Sequence, residues 1–240
     1  MPALKADIIT QLKKDILALQ GFRPLVHSQQ MINLGTINHS FPNAQFPVGV
    51  NHEFICNSPE SLTASSGFIA GILSSMLQKG GAAVWINSSQ IIFPPALVSF
   101  GIDPSQLIFI HIKKDLLWTM EEALKCEGLT AVVGEIASVD LTSSRRLQLA
   151  SEKSRVTGFL LRPHPRQLNT TACTCRWQVH PLQSKTTNGL PGVGFPCWQV
   201  ELEKVRNGKP GSWQLEWSNG KFQVVDLNDS SISSEHKKAV

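Results

Sequence analysis

With 240 residues, 42% of them hydrophobic and 17% charged, the chain has enough apolar side chain for one large domain or two small ones. No apolar run approaches the roughly 18–20 residues of a membrane-spanning helix. The charged start MPALKADIITQLKKD also lacks the charged-then-apolar order of a signal peptide, so a cytoplasmic protein with reduced thiols is expected. The net charge of +4 is uneven: residues 145–221 carry an excess of 8 basic side chains and the remainder an excess of 4 acidic ones. That leaves open a phosphate-bearing or acidic partner and an ordinary solvated surface.

Residues 5–20 place Ile8, Ile9, Leu12, Ile16 and Leu19 on one face, with Lys5, Lys13, Lys14 and Gln11 read as the opposite face, which predicts an amphipathic helix ended by Gly21. Such a stripe needs cover from the chain's own core, a second copy or a partner. Residues 22–51 are rich in Gly, Pro, Asn and His and read as an irregular connector. The pattern then becomes rhythmic. Strand HEFIC (52–56) is followed by a helix over 64–79 bearing Phe68, Ile69, Ile72, Leu73, Met76 and Leu77, stopped by Gly80 and Gly81. Strand AAVWIN (82–87), a short helix from Pro94 to Phe100, and strand LIFIHI (107–112) come next. A helix capped by Asp115 runs to Glu127, with Cys126 expected in the core, and strand LTAVV (129–133) follows it. A helix capped by Thr142 runs to Ser154 and leads into strand TGFLLR (157–162).

Strands that are apolar without alternation, separated by helices, predict a mostly parallel sheet buried on both faces. After Pro163 the pattern changes to period two in RWQVHP (176–181), WQVELEKVR (198–206) and SWQLEW (212–217), with a hairpin turn at NGKPG (207–211) and a further strand in 220–225. These form an antiparallel extension of the sheet. The expected organisation is an N-terminal helix (1–21), a connector (22–51), an α/β core with a β-meander (52–225) and a polar, disordered tail (226–240).

The stretch NSPESLTASSGF (57–68) lies between a strand and a helix, where a phosphate-binding loop of form G-x-x-x-x-G-K-[ST] would lie. Its glycine positions hold Ser58 and Thr63, its lysine position Ala64 and its hydroxyl position Ser65. A Cβ at each glycine position keeps backbone N–H groups from closing on phosphate. Ala64 offers no charge, and only Ser65 suits the role; the loop can still serve as a helix cap. Cys173-x-Cys175 with His164 and His180 departs from the C-x₂₋₄-C spacing of structural zinc, and strand alternation would bury both thiols on one face, so no metal is expected. His52 and His111 read as satisfied core histidines.

The order of pieces across roughly residues 46–225 resembles the RecA-like ATPase core. The stretches IFPPALVSFGIDP (92–104), LWTMEEALKCEGLTAVVGEI (117–136), LTSSRRLQLASEKSRVTGFLLR (141–162), TTACTCRW (170–177) and WQVELEKVRNGKPGSWQLEW (198–217) are similar to the ImuA family. That resemblance implies an accessory factor of damage-induced translesion synthesis, with two expected partners. One is an ImuB-type inactive lesion-bypass polymerase; the other is an error-prone copy of the replicative polymerase's catalytic subunit. It also puts Glu135 at the Walker B position, and Asn87 and Ser89 where catalytic acids would stand. No hydrolysis and no cofactor are expected.

Arg145, Arg146, Arg155, Arg162 and Arg166 follow that acid, on the side where RecA-like filaments carry DNA-contacting loops, which makes non-specific DNA a candidate partner. Arg145 and Arg146 pairing instead with Glu152 or with a partner's acids stays open. Two alternatives remain beside the adaptor reading. One is a cell-division inhibitor like SulA, since some members of the family have been likened to it; the other is a weak nucleotide-dependent enzyme.

Overall fold

The first parallel strand, β1 (Asn51–Cys56), is buried along its whole length, which its position in the sheet explains. The computed structural model describes residues 11, 12, 16, 32–88, 92–165, 167–184 and 194–225. Around β1 run α1 (Pro59–Leu77), β2 (Ala82–Asn87), a 3-10 helix (Pro94–Phe100), β3 (Leu107–His111), α2 (Leu116–Leu124), β4 (Leu129–Glu135), α3 (Leu141–Ser154) and β5 (Thr157–Pro163). Then come β6 (Cys175–Leu182), β7 (Cys197–Val205), β8 (Gly211–Ser218) and β9 (Lys221–Val224).

One nine-stranded sheet results, in the order β3-β2-β4-β5-β1-β6-β7-β8-β9. It is parallel from β3 to β6 and antiparallel from β6 to β9. This is the mixed sheet that the sequence pattern predicts.

Alternate residues of β2, β4 and β5 feed two cores. Val133, Phe159 and Phe54 join α1's Phe68, Ile72 and Leu73 on one face. Val132 and Leu160 join Met120, Leu124 and Leu147 from α2 and α3 on the other. Each such apolar side chain contributes about 1.5–3 kcal/mol on burial, which is why these strands are largely apolar on both faces. Helix α1 lies close enough to β8 and β9 that a Cβ on Gly71 would come within 2.5 Å of the Phe222 ring. Among the described residues no helix is long and apolar enough to cross a membrane.

Several local expectations need correction. Residues 32–50, read as part of a connector, are irregular but form a wall of the first core, with Ile32, Leu34, Ile37, Phe41 and Phe46 buried in it. The 3-10 turns Gly35–Ser40 and Pro42–Ala44 space these side chains at no regular period. Helix α1 begins at Pro59 rather than residue 64, because Ser58 and Ser61 form a capping box and Pro59 presets the first helical φ. Asp115 sits at φ 58° with no side-chain cap, and α2 stops at Leu124. Cys126 is consequently exposed instead of buried. Asp140, not Thr142, caps α3, its carboxylate accepting from Ser143 N–H at 2.7 Å.

Strand β3 lies at the sheet edge, so Ile108 and His111 are exposed where a buried strand is expected. Cys173 precedes β6 and enters the second core while Cys175 enters the first, so the two thiols do not share a face. Of the N-terminal stripe, Leu12 and Ile16 are helical and exposed, whereas Ile8, Ile9 and Leu19 lie outside the described residues, as does the tail 226–240.

Candidate nucleotide loop and basic surface

Strand β1 passes into α1 through Asn57 and Ser58 alone, so helix occupies the place where a phosphate loop would curl. The donors of its first turn are already engaged. Ser58 Oγ accepts from Ser61 N–H at 3.2 Å, Ser61 Oγ accepts from Ser58 N–H at 3.0 Å, and Pro59 has no N–H. Hydrogen bonds from the Ser58 hydroxyl and from Glu60's own N–H hold the Glu60 carboxyl below its ordinary pKa. A helix N-terminus attracts anions; here the protein supplies the anion itself.

The other template positions lie inside the helix. Thr63 is exposed, and its hydroxyl donates to the Pro59 carbonyl at 3.0 Å. Ala64 is buried. Ser65 is fully buried, its Oγ accepting from Cys56 Sγ at 3.5 Å. Burial pushes the Cys56 thiol up to about 11, and the nearby Glu135 charge adds to the rise. Glu135 therefore does lie beside this loop, buried at the end of β4. Asn87 ends β2, its Oδ1 facing His111 Nδ1 at 3.3 Å; Ser89 lies outside the described residues. The structure thus brings Ser58, Thr63, Ala64, Ser65 and Glu135 together. It offers no lysine, no open loop and no outward hydroxyl from Ser65, and these residues do not fit a nucleoside triphosphate.

The five arginines do not form one surface. Arg145 and Arg155 are exposed, and Arg155 is the left-handed C-cap of α3 at φ 71°. Arg146 pairs with Glu121 at 2.5 Å, not with Glu152, which instead accepts from Gln148 and faces Arg206. The groove of about 400 Å³ around Arg146 also holds Glu121, Glu127, Lys125 and Lys153, a mixture of charges rather than a basic track. Arg166 lies outside the described residues.

Arg162 is 1% exposed, and its Nη1 donates to Glu53 Oε2 at 3.1 Å. Glu53, wholly buried in β1, also accepts from Arg176 Nε at 2.9 Å and from the Thr171 hydroxyl. The placement of Arg162 on a contact surface is therefore corrected: it anchors a buried ion network joining β1, β5 and β6. One signal could have found this network. HEFIC, TGFLLR and CRWQV each carry one charge inside an apolar strand, and such charges are buried only when paired.

His52 is the second polar group placed at the centre. Its ring stacks on Phe46 at 4.5 Å, its Nε2 donates to the Pro47 carbonyl at 2.8 Å, and its Nδ1 accepts from Trp177 Nε1–H at 3.4 Å. Both ring nitrogens are thus satisfied by the neutral form, and burial lowers the pKa to about 4. Burial likewise raises the Cys173 thiol to about 12 and the Cys175 thiol further. Among the described residues no three His, Cys, Asp or Glu side chains are grouped to hold a metal.

No protein-family model matches the chain. A solved structure titled "Crystal structure of the RadB recombinase" superposes with a TM-score of 0.52 over 77% of this chain and 94% of that one, at 13% sequence identity. Together with the strand order, this makes the chain a RecA-like α/β protein. Protein ImuA, from two strains of Caulobacter vibrioides, is 34% identical over 195 residues, covering 75% of this chain and 80% of the relative. The chain belongs to the ImuA family.

Proposed function

We propose that the chain is a non-catalytic RecA-like accessory protein of damage-induced, error-prone translesion synthesis. Its partners in this reading are an ImuB-type inactive polymerase and an error-prone replicative-type polymerase subunit. Family membership supports the setting. The observation that carries the non-catalytic part is Ala64, buried inside a helix at the position a phosphate-contacting lysine would need. Phosphoryl transfer depends on cradling and neutralising the phosphates, and here a capping box and the Glu60 carboxylate stand in their way.

Isothermal calorimetry with ATP and Mg²⁺ is expected to give no affinity tighter than about millimolar, roughly −4 kcal/mol. Ala64→Lys is expected to restore neither binding nor turnover, because it changes a buried helical site and not the loop. A micromolar dissociation constant would overturn the non-catalytic reading.

The setting is tested by pull-down. The ImuB-type protein is expected to retain this chain from purified components, and a cell-division GTPase is not. Capture by the GTPase alone would move the chain to the inhibitor class. Direct contact with DNA is not needed in this proposal, since Arg162 is buried and Arg146 is paired within the fold.

A further inference from the structure

Among the described residues one apolar groove lacks cover, and the sequence carries one apolar stripe that could fill it. The groove, of about 640 Å³, lies between the N-terminal half of α1, the Pro94–Phe100 turn and the ends of β6 and β7. Phe93, Ala96, Phe100, Pro181, Pro196 and Trp198 line it. Phe93 is 68% exposed, the most exposed large hydrophobic side chain among the described residues. The only charged residue lining the groove among them is Glu60. The stripe is that of Ile8, Ile9, Leu12, Ile16 and Leu19. Of these, Leu12 and Ile16 are 54% and 51% exposed on helical backbone.

We propose that residues 5–20 dock as a helix in this groove of the same chain. At about 1.5 Å per residue, the stripe from Ile8 to Leu19 is about 16 Å long, a fit for a groove bordered by half of a helix. At 100° per residue, Lys5 falls in line with the stripe and Lys13 beside it rather than opposite, which gives Glu60 a basic counterpart. Reach is sufficient. Residues 20–31 extend to about 40 Å, comparable with the diameter of a domain whose radius of gyration is about 16 Å. Tethering selects the chain's own helix over a second copy, because a link this short gives an effective concentration near millimolar. The helix needs the groove as much as the groove needs the helix, since isolated helices of this length are marginal in water.

The test is hydrogen exchange on the full chain, followed by mass spectrometry at two protein concentrations, with light scattering for oligomeric state. Residues 5–20 are expected to exchange about tenfold or more slowly than an unstructured segment, independent of concentration, in a monomer. Phe93→Asp is expected to restore fast exchange in residues 5–20 while the melting temperature of the sheet stays unchanged. Ala96→Glu, at an exposed position in the same groove, serves if Phe93→Asp fails to fold. Fast exchange in the unaltered chain overturns the proposal, and so does protection that survives both variants. Protection that grows with concentration alongside a dimer also overturns it and assigns the groove to a second copy.

Discussion

Glu53→Ala is expected to lower the unfolding free energy by about 3–5 kcal/mol, measured by urea denaturation at an unchanged m-value. The substitution leaves the Arg162 guanidinium in the sheet with 1% exposure and no carboxylate. Its Nε has no hydrogen-bond partner, and Glu53 is the carboxylate with which the side chain pairs. Arg176 is 17% exposed and can rehydrate; Arg162 cannot. A loss of that size is a large part of the 5–15 kcal/mol that holds a typical domain together. The double variant Glu53→Leu/Arg162→Leu should be clearly more stable than Glu53→Ala, because both charges are removed together and apolar replacement of a buried pair is often neutral. A Glu53→Ala loss below about 1 kcal/mol, within the range of an exposed pair, would show that the network is not the closed, dry one seen here.

Acid is expected to act through His52. The ring is neutral in the folded protein, with its pKa lowered to about 4 from 6.5. The unfolded chain therefore takes up a proton at His52 as pH falls through 6.5, while the folded chain does not until about 4. Stability present above pH 6.5 is lost progressively down to pH 4, by up to about 3 kcal/mol from this group. Urea titrations at several pH values across that window measure the slope. His52→Gln cannot titrate, so it should lower stability throughout yet flatten the slope. Equal slopes in the two proteins would mean that the acid sensitivity lies in the carboxylates instead.

The parallel half of the sheet was legible because its strands are buried on both faces and so carry an uninterrupted apolar signal. The meander was legible for the opposite reason: strands with one polar side alternate, as in WQVELEKV. The degenerate loop was legible as chemistry, since Ala64 offers no charge in any conformation. Its role as a helix cap was legible too, but fitting a loop template to residues 58–65 set the start of the helix late, past the Ser58–Ser61 capping box.

Residues 32–50 were misread because Ile37, Phe41 and Phe46 reach the core from irregular backbone and 3-10 turns, where no period marks them. Arg162 was misread because a charged residue late in a strand looks like a surface residue until its partner is known. That partner, Glu53, is 109 positions away. His111 and Cys126 failed for a topological reason: nothing in LIFIHI says that its strand takes the edge of the sheet, and nothing in EEALKCEG says that the helix ends before the cysteine.

The position of β1 bears on how the protein is made. Its two neighbours are β5, with Asn51 opposite Gly158, and β6, with His52 opposite Cys175. Both pairings span more than 100 residues of chain, so little local structure can hold the strand while it waits. At about 5–20 residues per second of synthesis, the most thoroughly buried strand of the sheet leaves the ribosome roughly 6–25 seconds before β6 is complete. Until β5 emerges HEFIC has neither neighbour strand, and until β6 emerges it has only one. The nascent chain is therefore most exposed to chaperones, and to other unfinished chains, midway through its own translation.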